Sequence, residues 1–110
     1  MSESGVARAT EDIAAAWLRE GRRFVQALLV EVEGSAPLPE GAMMLIGEGG
    51  EIEGSITGGC VEGALVSEAE AILAGERGPG VETYGISDEL AGTVGLMCGG
   101  IVHVFLQQLR

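Results

Sequence analysis

Two glycine pairs in this chain each carry a cysteine. Gly58-Gly59-Cys60 lies between an apolar extended run and an amphipathic helical run, and Cys98-Gly99-Gly100 precedes the last apolar run. A cysteine at a helix start meets free backbone N–H groups and the positive end of the helix dipole, which attract anions and favour the thiolate. The glycines let the backbone bend and let a ligand come close. The pattern thus offers a thiol in an anion-friendly nest. The plain alternative is a glycine turn followed by a small buried cysteine, since free cysteine is among the most buried residue types. For Cys98 the plain alternative is a core residue beside a β-bulge. Two further residues belong with these. Ser35, in Gly34-Ser35-Ala36-Pro37, has a hydroxyl that suits an oxyanion, or is an ordinary turn serine. Glu62 lies one turn into the helix after Cys60, where it suits an acid or a partner for a ligand amine, or simply complements the dipole. The catalytic candidates are therefore Cys60, Cys98 and Glu62. His103, between Val102 and Val104, reads as a hydrogen-bonded strand residue.

Composition narrows the chemistry. Six basic residues, all arginine, stand against 17 acidic ones, for a net charge of −11. Phosphate backbones and anionic lipid surfaces should repel such a chain, so nucleic acid and membrane are not expected partners. The absence of lysine removes Schiff-base and P-loop mechanisms. A single histidine removes His-rich metal sites and most charge-relay triads. No G-x-G-x-x-G and no C-x-x-C occurs.

The elements that must position these residues can be read along the chain. At 110 residues, 46% of them hydrophobic, the chain suits one domain with a real core. Trp17, Phe24, Tyr84 and Phe105 are its aromatics, so that core is mostly aliphatic. The first segment reads as a helix capped by Thr10, with Val6, Ala9, Ile13 and Trp17 on one face and Gly21 as its stop. Phe24 to Val32 reads as a central strand. Ala42 to Ile46 and Glu51 to Thr57 read as a β-hairpin around Gly47-Glu48-Gly49-Gly50. Val61, Leu65, Ala69, Ile72 and Leu73 form the apolar stripe of a second helix that Gly75 ends. Val81 to Tyr84 is a short strand, Ser87 caps a short helix, and Ile101 to Leu109 is a long last strand. The run Leu90 to Leu109 carries no formal charge, but its glycines and polar residues make it a poor membrane span. The N-terminal segment lacks the pattern of a signal peptide, so the expected compartment is the cytoplasm, where two cysteines stay free thiols. The expected fold is α/β: one domain over residues 1–110, with a mixed β-sheet, two main covering helices and a β-hairpin.

Together, Gly34-Ser35-Ala36-Pro37 with Pro39, Gly41-Ala42-Met43-Met44, Gly54 through Glu62, and Cys98-Gly99-Gly100 resemble the N-terminal domain of the XdhC/CoxI family. That family matures xanthine dehydrogenase and carbon monoxide dehydrogenase. Tyr84-Gly85-Ile86-Ser87-Asp88-Glu89 fits the same pattern, and the resemblance runs from about Phe24 to Leu106. It implies an accessory chaperone rather than an enzyme. Such a chaperone holds the molybdenum cofactor (molybdopterin), assists its sulfuration with a cysteine desulfurase, and passes it to the apo-molybdoenzyme. Carried over by motif, the implied cofactor-binding set is Ser35, Gly58, Gly59, Cys60, Glu62, Cys98, Gly99 and Gly100. Cys60 and Cys98 are its soft molybdenum ligands, and the glycine-flanked amides are its phosphate or oxo contacts. Longer family members continue into a Rossmann-type domain. Here the chain stops at Arg110, so a separate Rossmann-domain chain is an expected partner, as is a second copy in a homodimer. Two other readings stay open: a thiol-based sulfur-transfer or redox enzyme using Cys60 and Cys98, and a non-catalytic interaction module whose acidic surface docks a basic partner.

Overall fold

The computed structural model describes residues 2–59, 61–85 and 100–109, with side chains from residue 9 onward. Helix α1 spans Ser2–Arg19, strand β1 Phe24–Glu33, β2 Met43–Gly47, β3 Ile52–Gly54, helix α2 Glu62–Leu73, β4 Gly80–Gly85 and β5 Ile101–Leu109. The short helix expected at Ser87 lies outside the described residues.

The strands form one sheet in the order β3-β2-β1-β5-β4. β1 is central: its first six positions, FVQALL, are buried or partly buried, and it is paired along both edges. It pairs antiparallel with β2 on one side and β5 on the other, and the remaining pairs, β2 with β3 and β4 with β5, are antiparallel too. The sheet is therefore antiparallel where the sequence suggested a mixed one. The reason is topological: β3 and β4, which the α2 crossover leaves pointing the same way, lie on opposite edges. The last strand, β5, inserts between β1 and β4. The α/β class, the two main helices and the hairpin are as expected.

Each helix covers one face. Leu65, Ala69 and Ile72 of α2 pack into the main core with Val25, Ala27 and Leu29 of β1 and Val102, Val104 and Leu106 of β5. α1 packs on β2 and β3, where Ala14 and Trp17 meet Phe24 and Leu45. Trp17 and Phe24 meet edge to face, with ring centroids 5.1 Å apart, and the Arg22 guanidinium stacks 4.2 Å above the Trp17 ring. Thr10 is buried inside α1 rather than capping it, and Ala9 is exposed, because the helix begins eight residues earlier at Ser2. Gly21 does stop the helix region, with a φ of 75° that a side chain would oppose. No helix among the described residues is long and apolar enough to cross a membrane.

The antiparallel pattern decides what meets where. β1, β3 and β4 run one way, and β2 and β5 run the other. The chain therefore leaves β1, β3 and β4, and enters β2 and β5, at one common end of the sheet.

Candidate functional site

That common end collects the candidates that are among the described residues: Ser35, Gly58, Gly59, Glu62 and Gly100. β1 runs out into Gly34-Ser35, β3 runs out into residues 55–59, β4 ends at Gly85, and Gly100 leads into β5. α2 begins at the same end and packs on β1 and β5. Its other end is fixed by Arg23, whose Nη2 donates to the Leu73 carbonyl over 2.8 Å. The segment before α2 thus carries the chain from the edge strand β3 toward the two strands whose ends hold Ser35 and Gly100.

Those last two are in direct contact. Ser35 is exposed and Gly100 is buried. A Cβ at Gly100 would overlap the Ser35 carbonyl oxygen and lie 2.9 Å from the Glu33 carbonyl oxygen. Gly100 is therefore required for a backbone-to-backbone approach. Gly58 and Gly59 are exposed, with φ of 76° and 125°, and no atom of the described residues lies within 4 Å of where their Cβ atoms would stand, chain neighbours aside. Cys60, Cys98 and Gly99 lie outside the described residues.

Glu62 is the most heavily engaged side chain of the site. Its Oε2 accepts the Ser55 hydroxyl at 2.7 Å and the amides of Ile56, Thr57 and Gly58 at 2.8, 2.7 and 3.1 Å. Its Oε1 accepts the Thr57 hydroxyl at 2.6 Å and the Gly59 amide at 2.9 Å. Thr57 Oγ1 in turn accepts the Val61 amide at 3.0 Å, and Ser55 Oγ accepts the Gly58 amide at 2.9 Å. Partial burial pushes the Glu62 carboxyl up. The hydrogen bonds from the Thr57 hydroxyl and amide, the Ser55 hydroxyl and the Ile56 amide outweigh it and hold the pKa at about 2, below the ordinary 4.5. This network is also why β3 stops at Gly54: the Ser55 amide still bonds the Met43 carbonyl, and the amides of Ile56, Thr57, Gly58 and Gly59 turn onto Glu62 instead of extending the hairpin.

Three more residues shape this end without having stood out in the sequence reading as candidates. Ser55 and Thr57 are two. The signal for them was present, two hydroxyls just ahead of a helix-start glutamate, as in a stretched capping box. Tyr84 is the third. Its ring packs on the main core, and its hydroxyl oxygen is buried with no hydrogen-bond partner among the described residues. Burial, then the charges of Glu82 and Glu68, push its pKa up. His103 behaves as a strand residue should. Its Nδ1 pairs with Thr83 Oγ1 at 2.9 Å and its Nε2 with Glu33 Oε2 at 2.6 Å, tying β4, β5 and β1 together.

Comparison with known proteins adds a second line of observation. The profile of the XdhC and CoxI family matches residues 17–85. The chain belongs to the XdhC and CoxI family. It is 37% identical over 93 residues to the molybdenum cofactor insertion chaperone PaoD of Escherichia coli, over 84% of this chain and 29% of that protein. It is 33% identical over 96 residues to a probable xanthine dehydrogenase subunit of Bacillus subtilis, over 86% of this chain and 29% of that protein. Its fold matches the crystal structure of a xanthine dehydrogenase from Bacillus halodurans with a TM-score of 0.70 and 28% identity, over 90% of this chain and 30% of that one. The chain thus spans under a third of the length of each of these relatives. Within the family-matched region lie Ser35, Gly58, Gly59 and Glu62; Gly100 lies beyond it.

Proposed function

We propose that this XdhC/CoxI-family domain is an accessory module that holds the molybdenum cofactor, assists its sulfuration together with a cysteine desulfurase, and delivers it to a xanthine dehydrogenase- or carbon monoxide dehydrogenase-type apo-enzyme. One observation carries the reading: Ser35, Gly58-Gly59 and Gly100 all adjoin strand ends at a single end of the sheet. The likeness to a molybdenum cofactor insertion chaperone supports it.

The chemistry of the donor set fits a pterin-bound molybdenum centre. Cys60 and Cys98 are joined in sequence to Gly59 and, through Gly99, to Gly100, and they would supply soft sulfur ligands. The exposed Ser35 hydroxyl would meet a polar edge of the pterin. Exposed Gly58 and Gly59 leave space beside the backbone that no described residue fills, which would suit a flat group. The cofactor's own contribution, when bound, is a metal centre whose terminal ligand can be exchanged for sulfur. The chain's part is to bind and orient it and to hold the thiols beside it.

The test is co-purification or titration of the domain with molybdenum cofactor, alone and with an apo-molybdoenzyme. Retention that falls in Cys60→Ala and Cys98→Ala is the expected result. Equal retention by the variants removes the thiols from the reading, and no retention under any condition removes the cofactor.

A non-catalytic interaction role is the second reading. It is favoured by the sheet face opposite α2, where Val81 is 55% exposed and Ile101 is 39% exposed.

A further inference from the structure

We infer that Glu62 is the resident anion of the 55–59 segment: a positioning residue whose carboxylate fills the amide cradle ahead of α2 and closes it to external oxyanions. The sequence marks that cradle as a phosphate or oxo contact, and an empty one would be suited to it. In the folded chain its donors are already used. The amides of Ile56, Thr57 and Gly58 converge with the Ser55 hydroxyl on Oε2, and the Gly59 amide and Thr57 hydroxyl converge on Oε1.

A carboxylate offers roughly four lone-pair sites, so this one has no acceptor capacity left over for a ligand. It also has no reason to leave. Hydrogen bonds to an ionised acceptor are about twice as strong as neutral ones. An incoming oxyanion would have to expel one negative charge to install another, leaving a partly buried carboxylate without its donors. The connection is short, since Glu62 lies three residues after Gly59 and opens α2. The helix start therefore delivers its own counter-charge to the segment that precedes it. The positive φ values of Gly58 and Gly59 are what let consecutive amides turn toward one point.

The inference refines the proposed cofactor site, on whose location it rests. Contacts to the cofactor then run through side chains and through the open side of the glycines, while the cradle keeps the segment in shape whether or not a ligand is bound.

The experiment is read on the cofactor-free chain, so its outcome stands apart from that of cofactor retention. Amide resonances of Gly58 and Gly59 are followed while the ¹⁵N-labelled wild type is titrated with inorganic phosphate, then molybdate, against chloride at matched ionic strength. Neither oxyanion should move them beyond the chloride control, and a saturable shift would overturn the inference. Glu62→Ala should lower Tm by about 5 °C or more. Formate or acetate, but not chloride, should recover part of that loss and return the two resonances toward their wild-type positions. Equal responses of wild type and Glu62→Ala to formate would overturn it as well. If Glu62→Ala does not fold, the wild-type titration decides on its own. A chain that passes these tests yet never retains cofactor keeps Glu62 in this role and loses the maturation reading.

Discussion

Gly100 and Ser35 touch backbone to backbone, with no room for a methyl group between the α-carbon of one and the carbonyl oxygen of the other. This contact binds the entry of β5 to the exit of β1, at the end of the sheet where Gly58, Gly59 and Glu62 also lie. Gly100→Ala must push the two segments apart. It is expected to destabilise the domain by about 1–3 kcal/mol, measured by denaturant unfolding. Gly85→Ala is the control: a Cβ there meets nothing within 4 Å among the described residues, so its cost should stay within about 0.5 kcal/mol. Equal effects of the two substitutions would remove the contact from the account.

Acid should unfold the domain partly through Glu62. Its pKa is about 2 in the fold against 4.5 ordinarily, so the folded state holds the proton less tightly than the unfolded chain. The resulting stabilisation is complete above about pH 4.5 and is lost as pH falls toward 2. Discounted for the solvent screening of a partly exposed group, it amounts to something on the order of 1–2 kcal/mol. Unfolding free energies measured from pH 6 down to about 2 should fall less steeply for Glu62→Gln than for wild type. Parallel curves would show that the carboxylate is not a source of the acid sensitivity.

Arg77 ties α2 to β4. Its Nη1 lies 2.7 Å from Glu68 Oε1 and 2.6 Å from Glu82 Oε2, and these bonds, to Glu68 first, raise the guanidinium pKa further. The group is part-buried and serves two carboxylates at once, which favours a measurable contribution over the near-zero value of a lone surface pair. Arg77→Met is expected to cost about 1 kcal/mol at low salt, read as a lower Tm. The gap from wild type should narrow as salt is added; a gap that does not depend on salt would assign the loss to packing of the side-chain stem.

The Tyr84 hydroxyl gives the most diagnostic substitution. It is buried with no partner among the described residues, and such a group carries a desolvation cost with nothing gained in return. Tyr84→Phe should leave stability unchanged or raise it by up to about 1 kcal/mol, measured by thermal and denaturant unfolding. A clear loss of stability would show that the hydroxyl is bonded in the folded chain.

Much of the fold was legible before any coordinates, because local patterns carried it. The apolar run from Phe24 became the central strand β1, the stripe through Leu65, Ala69 and Ile72 became the buried face of α2, and Ile101–Leu109 became the last strand. Glycine punctuation held where it reflects backbone geometry, as at Gly21 and Gly75 with φ of 75° and 80°. Thr10 misled because capping chemistry and a small buried polar contact look the same in sequence; in the fold it lies against Gly54, whose Cβ would stand 3.2 Å from it.

Residue order alone determined the elements, the acidic charge and the motifs that mark the XdhC and CoxI family, since periodicity, turn residues and charge are properties of neighbours along the chain. The tertiary structure decided which strands are neighbours, that every pairing is antiparallel, that Gly100 meets Ser35 across 65 positions of sequence, and that the amides read as a ligand's cradle are taken by Glu62. Strand order and the destination of a backbone N–H depend on what the chain brings back from a distance, and hydrogen-bond donors near a helix start look the same in sequence whether they await a ligand or are already satisfied.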